Sequence, residues 1–117
     1  MKKMMTGVAV AVLGLGMASA VQAANAISTE QLVAYCDGKD PTFVTCEIYG
    51  QAVYDTYLVT RNAEFAKEYI CVNQPAPPRK EIIAEYVAWA KANTKFAQDP
   101  AADTILRFLA GRFPCGK

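Results

Sequence analysis

The order of apolar and polar positions divides the chain before anything else is counted. Lys2 and Lys3 precede an apolar region from Met4 to Met17 that contains Gly7, Gly14 and Gly16, and the small-residue exits Ala18-Ser19-Ala20, Val21-Gln22-Ala23 and Ala24-Asn25-Ala26 follow. A positive start, an apolar middle and small-x-Ala endings describe a cleavable secretory signal peptide, taken here as residues 1–23. No cysteine stands at the end of the apolar run to carry a lipid. From Ser28 the pattern changes to helical spacing. The first predicted helix covers Ser28 to Cys36, with Ser28 or Thr29 as cap and Leu32, Val33 and Tyr35 as apolar contacts. Asp37-Gly38-Lys39-Asp40-Pro41 is a turn signal.

The second predicted helix runs from about Thr42 to Arg61. Cys46, Gly50, Val53 and Tyr57 recur at helical intervals along it and form one stripe. Glycine inside a helix costs on the order of 1 kcal/mol against alanine, so Gly50 on a buried stripe predicts a close helix crossing. Phe65 to Cys71 is expected as a short helical turn, followed by a linker holding Pro75, Pro77 and Pro78. The third helix is predicted from Pro78 or Arg79 to Asn93. Its apolar set (Ile82, Ile83, Tyr86, Val87, Trp89, Ala90, with Phe96 beyond) covers about half the circumference, more than one packing partner needs. Asp99-Pro100 predicts the start of the fourth helix, as a cap followed by proline at the first helical position. Ile105, Leu106, Phe108, Leu109 and Phe113 are its apolar face. Runs alternating apolar and polar residues, the mark of strands, are absent from the sequence. The expected fold is all-α: one disulfide-stapled domain over residues 24–117, with four helices plus the short helical turn.

Composition then narrows the chemistry. The chain has 12 basic and 11 acidic side chains and no histidine. Loss of Lys2 and Lys3 would turn the formal +1 into −1, which leaves no electrostatic footprint for nucleic acid or anionic lipid. Once the leader is removed, no membrane association is expected. An exported chain meets an oxidising compartment, where Cys36, Cys46, Cys71 and Cys115 are expected as disulfides. Four cysteines allow three pairings. A third helix of about fifteen residues is roughly 22 Å long, and a slightly shorter fourth helix returning along it brings Cys115 to Cys71. Cys36 and Cys46 flank the tight turn between the first two helices. The expected pairs are therefore Cys36–Cys46 and Cys71–Cys115. The second of these would tie the proline linker to the C-terminal end and hold the entry to the third helix rigid, as a binding surface requires.

Enzymatic chemistry finds little support. Without histidine there is no Ser-His-Asp or Cys-His arrangement, and oxidised cysteines offer no thiolate. No metal or cofactor motif stands out. Glu81 and Glu85 are spaced for one helix face, but first-turn acids suit the helix dipole as well as they suit acid-base work. Asp99 and Asp103 are explained as a cap and a first-turn acid. The aromatic residues Tyr49, Tyr54, Tyr57, Tyr86 and Trp89 are mostly core, with an excess that fits a homodimer seam or a partner surface.

The framework of "LVAYC", "CEIYGQAVYD", a cysteine with a proline-containing turn, an amphipathic helix and "PAADTILRFLAGRFPC" resembles the Tai immunity family, the type VI secretion amidase immunity proteins also called the Rap immunity family. In that family a Cys-x-x-Tyr helix carries an acid nine residues after the cysteine, and the chain closes on Phe-Pro-Cys. Cys46, Tyr49 and Asp55 match, as do Pro100-Ala101-Ala102 and Phe113-Pro114-Cys115. Cys71-Val72-Asn73-Gln74-Pro75 departs from the usual Cys-x-Pro, and Ala52 stands where the family has glycine. The resemblance implies a helical periplasmic protein, typically a homodimer, that binds and occludes a secreted peptidoglycan amidase toxin. Its inhibitory contacts come from a helix and a protruding loop. Carried onto this chain, these are the third helix and the Asn73–Arg79 linker, with Asn73, Gln74, Arg79, Glu81 and Glu85 as candidate partner-binding residues. The competing readings are a periplasmic binding module with another partner and an acid-stress chaperone of the Hde type. A chaperone of this sequence would have to switch on carboxylates, since no histidine titrates near neutrality.

Overall fold

The computed structural model describes residues 25–61, 64 and 66–116. The segment 1–23, read above as a signal peptide, lies outside the described residues. Among the described residues there are four α-helices and no strand: α1 (Thr29–Asp37), α2 (Thr42–Thr60), α3 (Arg79–Ala92) and α4 (Ala101–Arg112), with a 3-10 turn at Thr94–Phe96 between the last two. The all-α expectation holds. No helix among the described residues is long and apolar enough to cross a membrane.

The helix starts follow from how the first backbone N–H groups find acceptors. Ser28 caps α1 in a capping box: its hydroxyl accepts from the Gln31 N–H at 3.1 Å, and its own N–H donates to Gln31 Oε1 at 2.8 Å. The remaining donors at this end are taken up across the fold. The N–H groups of Thr29 and Glu30 donate to the carbonyls of Asp99 and Ala97, and the Ala101 N–H donates to the Ile27 carbonyl. The starts of α1 and α4 thus satisfy one another. This corrects the reading of Asp99 as a side-chain cap. Pro100 occupies the cap position without a side-chain hydrogen bond, and Asp99 contributes its main-chain carbonyl, which also accepts from the Thr29 hydroxyl at 2.9 Å.

Behind this junction lies a buried hydroxyl network. Thr104, fully buried, lies 2.7 Å from the Thr29 hydroxyl and 2.9 Å from that of Tyr86, joining α1, α3 and α4. Around it pack Leu32, Ala101, Ile105, Phe108 and Leu109. Burial pushes the Tyr86 phenol above its ordinary value, against the opposing pull of its hydrogen bonds to the threonines.

The helical turn expected at Phe65–Cys71 is not found in its described part. Residues 67–71 carry no helix, and Phe65 lies outside the described residues. The backbone donors there are claimed from elsewhere: those of Tyr69 and Ile70 by the Tyr57 hydroxyl, and that of Cys71 by the Phe113 carbonyl. A short helical element does occur, at Thr94–Phe96, where the chain turns from α3 towards α4.

Helices α1 and α4 each pack against the other three, whereas α2 and α3 do not pack closely on each other. The disulfides are Cys36–Cys46, across the α1–α2 turn, and Cys71–Cys115, from the linker to the C-terminal end. Gly38 sits in the first of these turns, where a Cβ would run into the Thr42 hydroxyl.

Candidate partner-binding groove

The splay of α2 from α3 leaves a groove of about 310 Å³. Leu32, Cys36 and Cys46 line it, as do Ile105, Phe108 and Leu109 of α4. Ile82, Ile83 and Tyr86 of α3 face Gly50, Gln51 and Tyr54 of α2, with Val72, Ala76 and Pro77 of the linker alongside. The wide apolar face predicted for α3 is explained here. Tyr86, Val87 and Ala90 are buried, while Ile82 and Ile83 are half-buried on the groove.

Gly50 does not mark a close helix crossing. A Cβ built there meets nothing within 4 Å, so the missing side chain widens the groove instead. Its neighbours on α2 carry the polar edge. Gln51 accepts from Arg79 Nη2 at 2.5 Å and donates through Nε2 to Asp55 Oδ1 at 2.7 Å. Arg79 is thereby strapped across from the start of α3 to α2. Glu47 lines the groove one turn earlier. Glu47, Gln51 and Asp55 therefore form a polar row at four-residue spacing along α2. That spacing is visible in the sequence, although Asp55 was picked out only as a motif acid and the other two not at all.

The five candidate partner-binding residues separate into three places. Asn73 and Gln74 are exposed on the linker, where Gln74 Oε1 accepts from the Ala76 N–H at 3.1 Å. Arg79 is on the groove. Glu81 is exposed, and the half-buried Glu85 accepts from Arg112 Nε of α4 at 2.7 Å. This contact, with the nearby charges of Glu85 and Glu81, pushes the Arg112 guanidinium further up. Glu85 is thus a structural partner of α4 as well as a surface acid. Near the linker, Glu68, Cys71 and Cys115 place one ligand-type atom each within 4.8 Å of one another, but the two sulfurs are bonded to each other and leave no thiolate for an ion.

Beside the polar row, apolar side chains of α2 lie open to solvent around the exposed Asp55. Val44 is 41% exposed, Ile48 64% and Val59 84%.

The whole helical framework, from the Ser28 cap to Cys115, matches the family model described as Rap1a immunity proteins, over residues 28–115. The chain belongs to the Rap1a immunity protein family. Rap1a is a type VI secretion immunity family, so the chain is placed among proteins whose work is done by binding rather than by turnover. No curated protein and no solved structure matches the chain. The Rap1a match begins at the residue that caps α1 and ends at the cysteine that closes the second disulfide, so it covers the groove and the linker in full.

Proposed function

We propose that this Rap1a protein is exported, loses residues 1–23, and in the periplasm binds and blocks a type VI secreted peptidoglycan amidase. The observation that carries the reading is the family match across the entire described helical framework. Two physical features support it. The linker is held by the Cys71–Cys115 disulfide and by the Cys71 N–H to Phe113 carbonyl bond of 2.8 Å, so a partner meets a surface whose ordering cost is already met. The presented side chains Asn73, Gln74, Arg79 and Glu81 lie along that linker and the first turn of α3. A homodimer is part of the proposal. The exposed Val44, Ile48 and Val59 share one side of α2 with Asp55, a mixed face of the kind that a second copy would cover.

The test is co-expression in the periplasm with a secreted Cys-His amidase encoded in the neighbouring reading frame. Cells expressing that amidase alone should lyse, and those also making this protein should survive. Lysis of both populations would reject the proposal. Charge reversal at Glu81, which takes part in no ion pair among the described residues, should weaken the complex while costing the fold only the roughly 0.3–1 kcal/mol that a first-turn acid supplies, a small drop in melting temperature that leaves the protein folded.

A further inference from the structure

The groove between α2 and α3 is apolar in its walls and lacks a filling side chain at Gly50. Apolar surface left in water is unfavourable, and an entering apolar group releases that cost. A volume of about 310 Å³ stands at the low end of the roughly 300–1,000 Å³ usual for ligand pockets. It suits one large apolar side chain better than a cofactor-sized molecule.

The rim charge indicates what accompanies that side chain. Arg79 is the cation on the groove, and its guanidinium is engaged by Gln51, which is bonded in turn to Asp55. Glu47 lines the groove with no ion pair or side-chain hydrogen bond among the described residues. The charged side chains lining the groove are thus Glu47 and Arg79; Arg79 is held by Gln51, and Glu47 is the one without a partner among the described residues. A basic residue beside the apolar anchor is the complement of such a rim.

We infer that the groove receives an apolar side chain of the secreted effector, and that Glu47 pairs with a lysine or arginine next to it. The assignment rests on the immunity reading above and adds which surface is entered and what the partner's segment must carry. The linker projects towards the effector while the groove beside it takes a piece of the effector in return.

The test uses the purified, disulfide-bonded chain and the neighbouring-frame amidase, with affinity measured by calorimetry. Gly50→Leu places a branched side chain in the groove, and Gly50→Ala leaves it open. The expected result is an affinity within twofold of the parent for Gly50→Ala and at least a hundredfold loss for Gly50→Leu, with neither variant melting below the parent. Glu47→Lys should lose at least tenfold at low salt, with a smaller loss at high salt. Parent-like affinity of Gly50→Leu overturns the assignment. Should Gly50→Leu melt early, Glu47→Lys decides alone, and parent-like affinity of that variant overturns it. If Gly50→Leu turns a dimer into a monomer by light scattering yet still binds the amidase, the groove belongs to a second copy and the assignment is overturned. A parent protein that binds no amidase overturns the immunity reading itself, and this assignment with it.

Discussion

The hydroxyl of Tyr57 on α2 lies 3.0 Å from the backbone nitrogen of Ile70, a residue that is itself fully buried. The same oxygen accepts from the Tyr69 N–H at 3.1 Å. One side chain therefore does for the linker what a neighbouring strand would do, supplying an acceptor to two consecutive donors. Tyr57→Phe keeps the ring and removes the acceptor. Buried donors without partners cost roughly 1–3 kcal/mol, and a loss of that size is expected in urea unfolding. Hydrogen exchange at residues 69 and 70 should accelerate more than in α4.

The Tyr86 phenol supplies a pH dependence. Burial raises its folded value above the ordinary 10.0, so the folded state keeps the proton where the unfolded chain would release it. Its contribution is fully present below about pH 10 and is lost as pH rises through the folded value. The urea midpoint should stay level up to about pH 9 and fall above pH 10. Tyr86→Phe should be less stable at pH 7, because the Thr104 hydrogen bond is gone, and should show a shallower alkaline fall. Tyr69, whose phenol burial also raises, contributes to the part that remains.

The two disulfides should contribute unequally. They close sequence separations of 10 and 44 residues. In the chain-entropy model such loops are worth about 2.7 and about 4 kcal/mol. Replacing Cys71 and Cys115 by alanine should lower unfolding free energy more than replacing Cys36 and Cys46. It should also weaken partner binding, because the linker loses its tether.

Gly50→Ala separates the sequence expectation from the structure. A close helix crossing would make any added methyl destabilising. Open space at the Cβ position predicts the reverse, a gain of about 1 kcal/mol from helix propensity. Thermal melts of the two proteins decide between them.

Much of the scaffold was legible one element at a time. The helical spacing of Leu32, of the Cys46–Tyr57 stripe and of the Ile105–Leu109 face placed the helices, and the short turn between α1 and α2 placed Cys36 opposite Cys46. The errors share one cause. Asp99 looked like a cap because aspartate before proline is a local signal, yet its backbone carbonyl was needed by Thr29, a residue 70 positions away. The segment before Cys71 looked helical because nothing local announces that Tyr57 and Phe113 hold its backbone donors. The groove was hidden for a related reason. Gly50 carries the same weight in a helical pattern whether a neighbouring helix presses on it or is missing.

Periodicity, cap residues and cysteine order are properties of neighbouring positions, and by themselves they determined an all-α chain and its two crosslinks. Which helices touch, that the starts of α1 and α4 complete each other's hydrogen bonds, and that α2 and α3 stand apart with Arg79 strapped to Gln51 were decided only by the tertiary structure. Those outcomes depend on groups distant along the chain competing for the same donors, acceptors and apolar surface, and no local pattern records who wins.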